Sequence, residues 1–228
     1  MNNQRVVTGS IGASYMRPRI VAFIPAHNEE KSIRDCLAGL GDQLLPNNVE
    51  LDVFVIADNC TDRTKEKAEL AGDEFDLNVK VLVTEGNKQR KVGALNTAWK
   101  KIYGDTLDLY NTTLTKYQQL YKESIKAILG MDADSRLAPK ALINLWEDLM
   151  TSRNIGGVMA KYTMRMPKKK SSLSKDDVHY EEKLASGEYG GPIARWWTHQ
   201  QKQDMASWLL DLQYHGGSTY VLGGQATL

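Results

Sequence analysis

Cysteine is nearly missing: Cys36 and Cys60 are the only two in 228 residues. One pair cannot build a disulfide scaffold, and its spacing matches no metal-binding pattern. A reduced, cytoplasmic setting is therefore expected. Long apolar runs are absent as well. The longest, Ile20 to Ala26 and Val53 to Ala57, are strand-sized, far below the roughly 18 to 20 residues that cross a bilayer. Polar Met1 to Arg19 has no signal-peptide core and reads as a flexible leader. Contact with a membrane surface would have to come from parts outside this chain. Neither sign of charge dominates, since 29 Lys and Arg against 28 Asp and Glu leave +1. That balance exerts no general pull on a polyanion and argues against a nucleic-acid partner. No serine occupies a Gly-x-Ser-x-Gly elbow, which removes support for a serine hydrolase. His27, His199 and His215 form no zinc set, and no internal repeat is present.

What remains has the proportions of one folded domain, 42% hydrophobic and 25% charged. The hydrophobic rhythm alternates strands with helices. Ile20 to Ile24 is continuously apolar, as a parallel strand buried on both faces requires, and is expected to stop at Pro25. A helix with Ile33, Cys36, Leu37 and Leu40 on one face follows from Asn28. Leu51 to Ala57 and Lys80 to Thr84 read as the next strands, separated by a helix from Thr61 to about Ala71. Val92 to Tyr103 is a third helix. Gly104 to Lys122 is less regular and looks inserted. Ala127 to Met131 is a fourth strand, and Pro139 suits the first turn of the helix carrying Leu142, Leu145 and Leu149. Gly157 to Thr163 is a fifth strand candidate. Lys168 to Asp177 reads as a solvent-facing loop or a segment over the site, Ala194 to Tyr214 as a helix, and Thr219 to Leu222 as a short strand.

Such alternation predicts an α/β fold with a predominantly parallel, Rossmann-like sheet flanked by helices. Ligands of these sheets collect beyond the carboxyl ends of the strands. Pro25 to Glu29, Asp58 to Asp62, Glu85 to Lys91 and Asp132 to Asp134 would then share one rim. Asp132-Ala-Asp134 places two carboxylates directly after a strand, which suits Mg²⁺ or Mn²⁺ shared with a diphosphate. A solvated turn accounts for the triplet equally well. Asp58 could accept hydrogen bonds from a base or ribose, while Thr61 and Asp62 suit helix capping. The basic entrance Asn87 to Lys91, with Gly93 behind it, combines positive charge with free N–H groups, as phosphate binding asks.

Four segments in order, Pro25-Ala-His-Asn-Glu-Glu30, Ile56-Ala-Asp-Asn-Cys-Thr-Asp-Arg-Thr64, Lys91-Val-Gly-Ala-Leu-Asn96 and Met131-Asp-Ala-Asp134, resemble the signature of family-2 glycosyltransferases. The likeness covers Ile20 to Tyr162, with Val221 to Gln225 a looser match, and is nearest the branch of cellulose, chitin and hyaluronan synthases. The resemblance implies a GT-A fold over residues 20–228, with 20–135 the nucleotide-sugar half and 136–228 a less regular acceptor-side half. It further implies inverting transfer from a nucleotide-sugar, usually a UDP-sugar, to a saccharide hydroxyl. By position, Pro25, Ala26, His27 and Glu29 line the nucleoside pocket and Asp58 reads the base. Lys91 lies near base and diphosphate. Asp134, with Asp132, holds Mn²⁺ or Mg²⁺, Asp132 being nearer ribose or sugar. Gly223, Gly224 and Gln225 face donor sugar and acceptor. The family's general base belongs to a later carboxylate motif with no match before Leu228, so either the chain is a fragment of a longer enzyme, which is the expectation, or the base is another carboxylate within it. A nucleotidyltransferase of similar fold, or a non-catalytic nucleotide-sugar binder, are the alternatives.

Overall fold

A computed structural model of the chain describes residues 16–103, 116–160, 166–185, 188–202 and 226–227. The elements run β1 (Arg19–Ala26), α1 (Ile33–Gly41), β2 (Glu50–Asp58), α2 (Thr64–Glu74), β3 (Asn78–Thr84), α3 (Arg90–Tyr103), α4 (Lys116–Ser124), β4 (Ile125–Met131) and α5 (Ala141–Met150). Beyond these come β5 (Lys168–Lys169), α6 (Tyr180–Ala185), β6 (Tyr189–Gly190), a helix over 192–202 (α7) and β7 (Ala226–Thr227).

The main sheet has the order β3-β2-β1-β4-β7. Its first four strands are parallel, whereas β7 runs antiparallel, with Met131 opposite Ala226. Both faces are covered, which explains the unbroken apolar runs. On β1, Ile20, Ala22 and Ile24 point into a core with Leu37 and Leu40 of α1 and Leu142 and Leu145 of α5. Alternating Val21 and Phe23 point the other way, onto Ala94, Ala98 and Ile102 of α3. The two-residue period of a strand divides one apolar run between two cores. A cavity-forming change at the fully buried Leu129 would cost about 2–5 kcal/mol.

Several boundaries differ from the sequence reading. Strand β1 continues through Pro25, which lies past the last β1–β4 pair, Phe23 opposite Gly130. With β1 paired on one side only, a missing N–H is tolerated there. Helix α1 starts at Ile33, not Asn28, because Asn28 takes a left-handed φ of 56° and the next residues form a turn. Helix α2 starts at Thr64, capped by Asp62, whose Oδ1 accepts from the Thr64 N–H at 3.0 Å. Thr61 instead donates its N–H to Asn28 Oδ1 at 2.8 Å. Pro139 precedes α5, whose Leu142 N–H is satisfied by Gln43 Oε1 at 3.0 Å. Part of the supposed insertion is helical, as α4. Of the strand candidate Gly157 to Thr163, residues 157–160 show only a bridge at Met159, and 161–163 lie outside the described residues.

Lys168 to Asp177 is partly ordered rather than a plain loop. Lys168–Lys169 pair with Tyr189–Gly190, and Lys168 Nζ lies 2.8 Å from Glu188 Oε1. Asp177 accepts from the His179 N–H at 2.9 Å and from Lys183 Nζ at 2.6 Å, which ties down the start of α6. The expected strand Thr219 to Leu222, the second half of the Ala194 to Tyr214 helix and most of the leader lie outside the described residues. Among the described residues no helix is long and apolar enough to cross a membrane.

Candidate functional site

Strand register brings the rim together. Ala26 pairs with Ala57, and Asp58 with Thr84, so the loops after β1, β2 and β3 leave the sheet side by side, with that after β4 next to β1. They enclose a cavity of about 450 Å³ lined by Pro25, Ala26, His27, Glu29, Asp58, Asn59, Asn87, Arg90, Lys91, Asp132, Ala133 and Asp134. All eight residues that the sequence reading assigned to the nucleotide and metal are in this set. Gly223, Gly224 and Gln225 lie outside the described residues; β7, which directly follows them, pairs with Gly130 and Met131. A larger cavity of about 530 Å³ opens at the other end of β4, among Ile125 to Ile128, and contains none of the rim residues.

Asp58 is 6% exposed. Its Oδ1 accepts from the Thr84 hydroxyl, from Asn87 Nδ2 at 2.7 Å and from Asn59 Nδ2 at 3.4 Å. Oδ2 has no hydrogen-bond partner among the described residues, so the carboxylate keeps one acceptor atom in reserve. His27 Nδ1 lies 2.7 Å from the Asp58 carbonyl. A carbonyl only accepts, so Nδ1 carries the proton, and Nε2 of the neutral ring is an acceptor.

The first two loops brace each other. The Glu29 N–H donates to Thr64 Oγ1 at 2.7 Å, the Glu30 N–H to Asp62 Oδ2 at 3.1 Å, and the Arg63 N–H to Glu30 Oε2 at 3.1 Å. Partial burial would raise the Asp62 carboxyl. Bonds from the Thr64 hydroxyl and the Glu30 and Thr64 N–H groups outweigh it and hold Asp62 below the usual carboxylate range. Glu29 accepts from the Ser32 hydroxyl.

On the far wall Lys91 Nζ pairs with Asp132 Oδ1, linking the first turn of α3 to the end of β4. The Ser135 N–H closes a turn onto the Asp132 carbonyl at 3.0 Å. Within that turn Ala133 is buried and Asp134 exposed, without a hydrogen-bond or ion-pair partner among the described residues. Behind it, burial and then the neighbouring carboxylates, Asp35 first, push the Cys36 thiol far up, as fits a packing residue.

Asn59, Asn87 and Ala133 lie within the predicted rim segments without being singled out as site residues, and Arg90 enters there only as one of the basic residues before Gly93. Asn87 was inside a segment read for its basic residues, and only its partners reveal its importance. Gly93 also changes meaning. Its N–H bonds to the carbonyl of Gln89, the residue before α3, at 3.4 Å, so it is not free for a phosphate. A Cβ there would come 2.0 Å from Asn87 Oδ1.

Comparison with known proteins bears on the family. "Probable glycosyltransferase YdaM" of Bacillus subtilis (strain 168) is 27% identical over 147 residues, 64% of this chain and 30% of that protein. Among solved structures, a mannosyltransferase, PcManGT from Pyrobaculum calidifontis in complex with GDP-Man and Mn²⁺, is 22% identical with a TM-score of 0.47, over 68% of this chain and 37% of that one. S. aureus TarS 1-349 is 20% identical with a TM-score of 0.43, over 66% and 41%. This chain thus spans about a third of the length of the first two. The family description "Glycosyl transferase family 2" matches residues 21–212. That range takes in all four loops around the cavity, and the chain belongs to glycosyl transferase family 2, with its GT-A fold.

Proposed function

We propose that this chain supplies the donor-binding site of a metal-dependent, inverting glycosyltransferase that moves a sugar from a nucleotide-sugar, of the UDP class, to a saccharide hydroxyl. The observation that carries this reading is the meeting of three chemistries in one 450 Å³ cavity: the buried Asp58 carboxylate with an open Oδ2, the Lys91 ammonium, and the Asp132–Asp134 carboxylates. A uracil ring offers an imide N–H, which the free Asp58 oxygen can accept. The apolar end of β1 at Pro25 and Ala26, with His27 and Glu29, would flank the nucleoside.

The diphosphate belongs at the other end, where Lys91 and Arg90 supply positive charge. Lys91, which pairs with Asp132, would exchange that partner for a phosphate oxygen. Asp134 has no such cation among the described residues and is the first choice as metal ligand. No group of three or more His, Cys, Asp and Glu side chains gathers for a metal among the described residues. That donor set fits Mg²⁺ or Mn²⁺, which take one or two carboxylates and fill the remaining positions with phosphate and water oxygens. Such an ion stabilises the charge that grows on a departing diphosphate. Gly223, Gly224 and Gln225 are assigned to the sugar side, a reading that β7 beside Met131 supports.

Calorimetry with UDP, with and without Mn²⁺, on this chain and on Asp134→Ala tests the reading. Binding that needs the metal and is lost in the variant is expected. A folded chain that binds no UDP under either condition overturns it.

A further inference from the structure

We propose that Asn87 is the positioning residue of the site, a single side chain that aims the base-reading Asp58 carboxylate and at the same time sets the cationic entrance of α3. The inference rests on the donor-binding reading above. Asn87 Nδ2 donates to Asp58 Oδ1 at 2.7 Å and to the Arg90 carbonyl at 2.8 Å. Its Oδ1 accepts the Gln89 N–H at 2.9 Å. Its own main chain is held on both sides by Asn59, which accepts the Asn87 N–H at 3.2 Å and donates to the Asn87 carbonyl at 2.8 Å. Both Nδ2 protons are therefore committed within the protein, and Oδ1 already accepts one bond. That is the pattern of a residue acting through others.

Two of the groups it holds face the cavity from different loops. Asp58 can rotate about its side-chain torsions, and the bonds from Asn87, Asn59 and Thr84 all fall on Oδ1. They hold one oxygen back and leave Oδ2 as the acceptor. Arg90 adopts a left-handed φ of 51°, a conformation unfavourable for a residue with a long side chain. The bond from Asn87 Nδ2 to its carbonyl secures that backbone at the first residue of α3, directly before Lys91. Gly93 completes the arrangement, because any larger residue would meet the Asn87 amide.

The chain and its Asn87→Asp, Asn87→Ser and Gly93→Ala variants should be compared by calorimetry with UDP and CDP, with circular dichroism and thermal melting as the check on folding. Cytosine lacks the imide N–H, so the UDP-to-CDP affinity ratio reads the aim of Asp58 separately from diphosphate binding. Asn87→Asp keeps the shape but removes the donor and opposes two carboxylates; Asn87→Ser is the milder change if that variant does not fold. Gly93→Ala leaves Asn87 and Asp58 chemically intact and displaces one from the other. A drop in the ratio of about tenfold or more, shared by Gly93→Ala and at least one Asn87 variant, is expected for loss of a hydrogen bond to a charged group. Folded variants that keep the ratio, whether or not they bind both nucleotides more weakly, overturn the positioning role. Equal affinity of the unaltered chain for UDP and CDP overturns base reading by Asp58 and this role with it. Absence of UDP binding by the unaltered chain instead defeats the donor-site reading itself.

Discussion

The imidazole Nδ1 of His27 donates to the main-chain carbonyl of Asp58 across 2.7 Å, joining the end of β1 to the end of β2. The bond fixes which ring nitrogen carries the proton and leaves Nε2 as the acceptor of the neutral ring. Asparagine can place an amide N–H where Nδ1 stands, and glutamine cannot. His27→Asn should therefore keep stability close to that of the unaltered chain, whereas His27→Ala should lose about 1 kcal/mol in urea unfolding. Equal losses for the two variants would assign the ring to packing alone.

The Lys91–Asp132 pair separates binding from stability. Its side chains are 45% and 32% exposed, so the pair contributes little to folding. Lys91→Ala is expected to change unfolding free energy by less than about 1 kcal/mol. It should weaken UDP about tenfold or more, because a charge-assisted bond to the diphosphate disappears. A large fall in stability with unchanged UDP affinity would contradict the assignment.

The opposite end of the sheet should behave in reverse. Arg19 Nη1 lies 3.0 Å from each carboxylate oxygen of Asp52, which also accepts from Asn78 Nδ2 at 2.6 Å and from the Tyr121 hydroxyl at 2.6 Å. The Asp52 side chain is 2% exposed. Asp52→Ala leaves the largely buried Arg19 guanidinium with Glu50 Oε2, 2.5 Å from Nη2, and removes an acceptor from Asn78 and Tyr121, so it should cost about 3 kcal/mol. Affinity for UDP, measured where the variant is folded, should stay within twofold (about 0.4 kcal/mol).

Asp62 predicts part of the acid sensitivity. Its folded pKa lies below its unfolded value, so its contribution to stability is complete above the unfolded value. That contribution is lost as pH falls through the folded one. Asp62→Asn cannot titrate and keeps one of the two acceptor oxygens, so it serves either Thr64 or Glu30. Urea midpoints measured from pH 6 down to about pH 3 should fall less steeply for Asp62→Asn than for the unaltered chain. Parallel curves would show that Asp62 is not a source of the effect.

The cysteines should differ in reach. Cys36 is buried and its thiol pushed up, whereas Cys60 is half-buried at the rim, with Sγ 3.3 Å from the Ala26 carbonyl. A thiol reagent should modify one cysteine in the native chain and both in denaturant, with peptide mapping assigning the first to Cys60. Native modification of Cys36 would disprove the tight packing of α1 on the sheet.

Much of this was legible in the residues alone. Strand and helix order along Ile20 to Met150 follows from apolar periodicity, and the four rim segments follow from where the strands stop. Both signals are local, because burial repeats every two residues in a strand and about every 3.6 in a helix. The strand ends put Asp58, Lys91, Asp132 and Asp134 on one rim, and the family resemblance supplied their roles. What local pattern could not express is which side chain holds which. Asn87 meets Asp58 across 29 positions of sequence, Gln43 caps α5 across 99, and Gly93 is required by an amide six residues earlier, folded back against it. The late start of α1 and the passage of β1 through Pro25 were likewise decided by neighbours, the braced Asn28–Thr61 loops and the one-sided pairing of β1. Local propensity sets the elements, since each residue's backbone preference travels with it. Hydrogen-bond satisfaction at the rim is a contest among groups brought together only by the register of the sheet, and tertiary structure alone settles it.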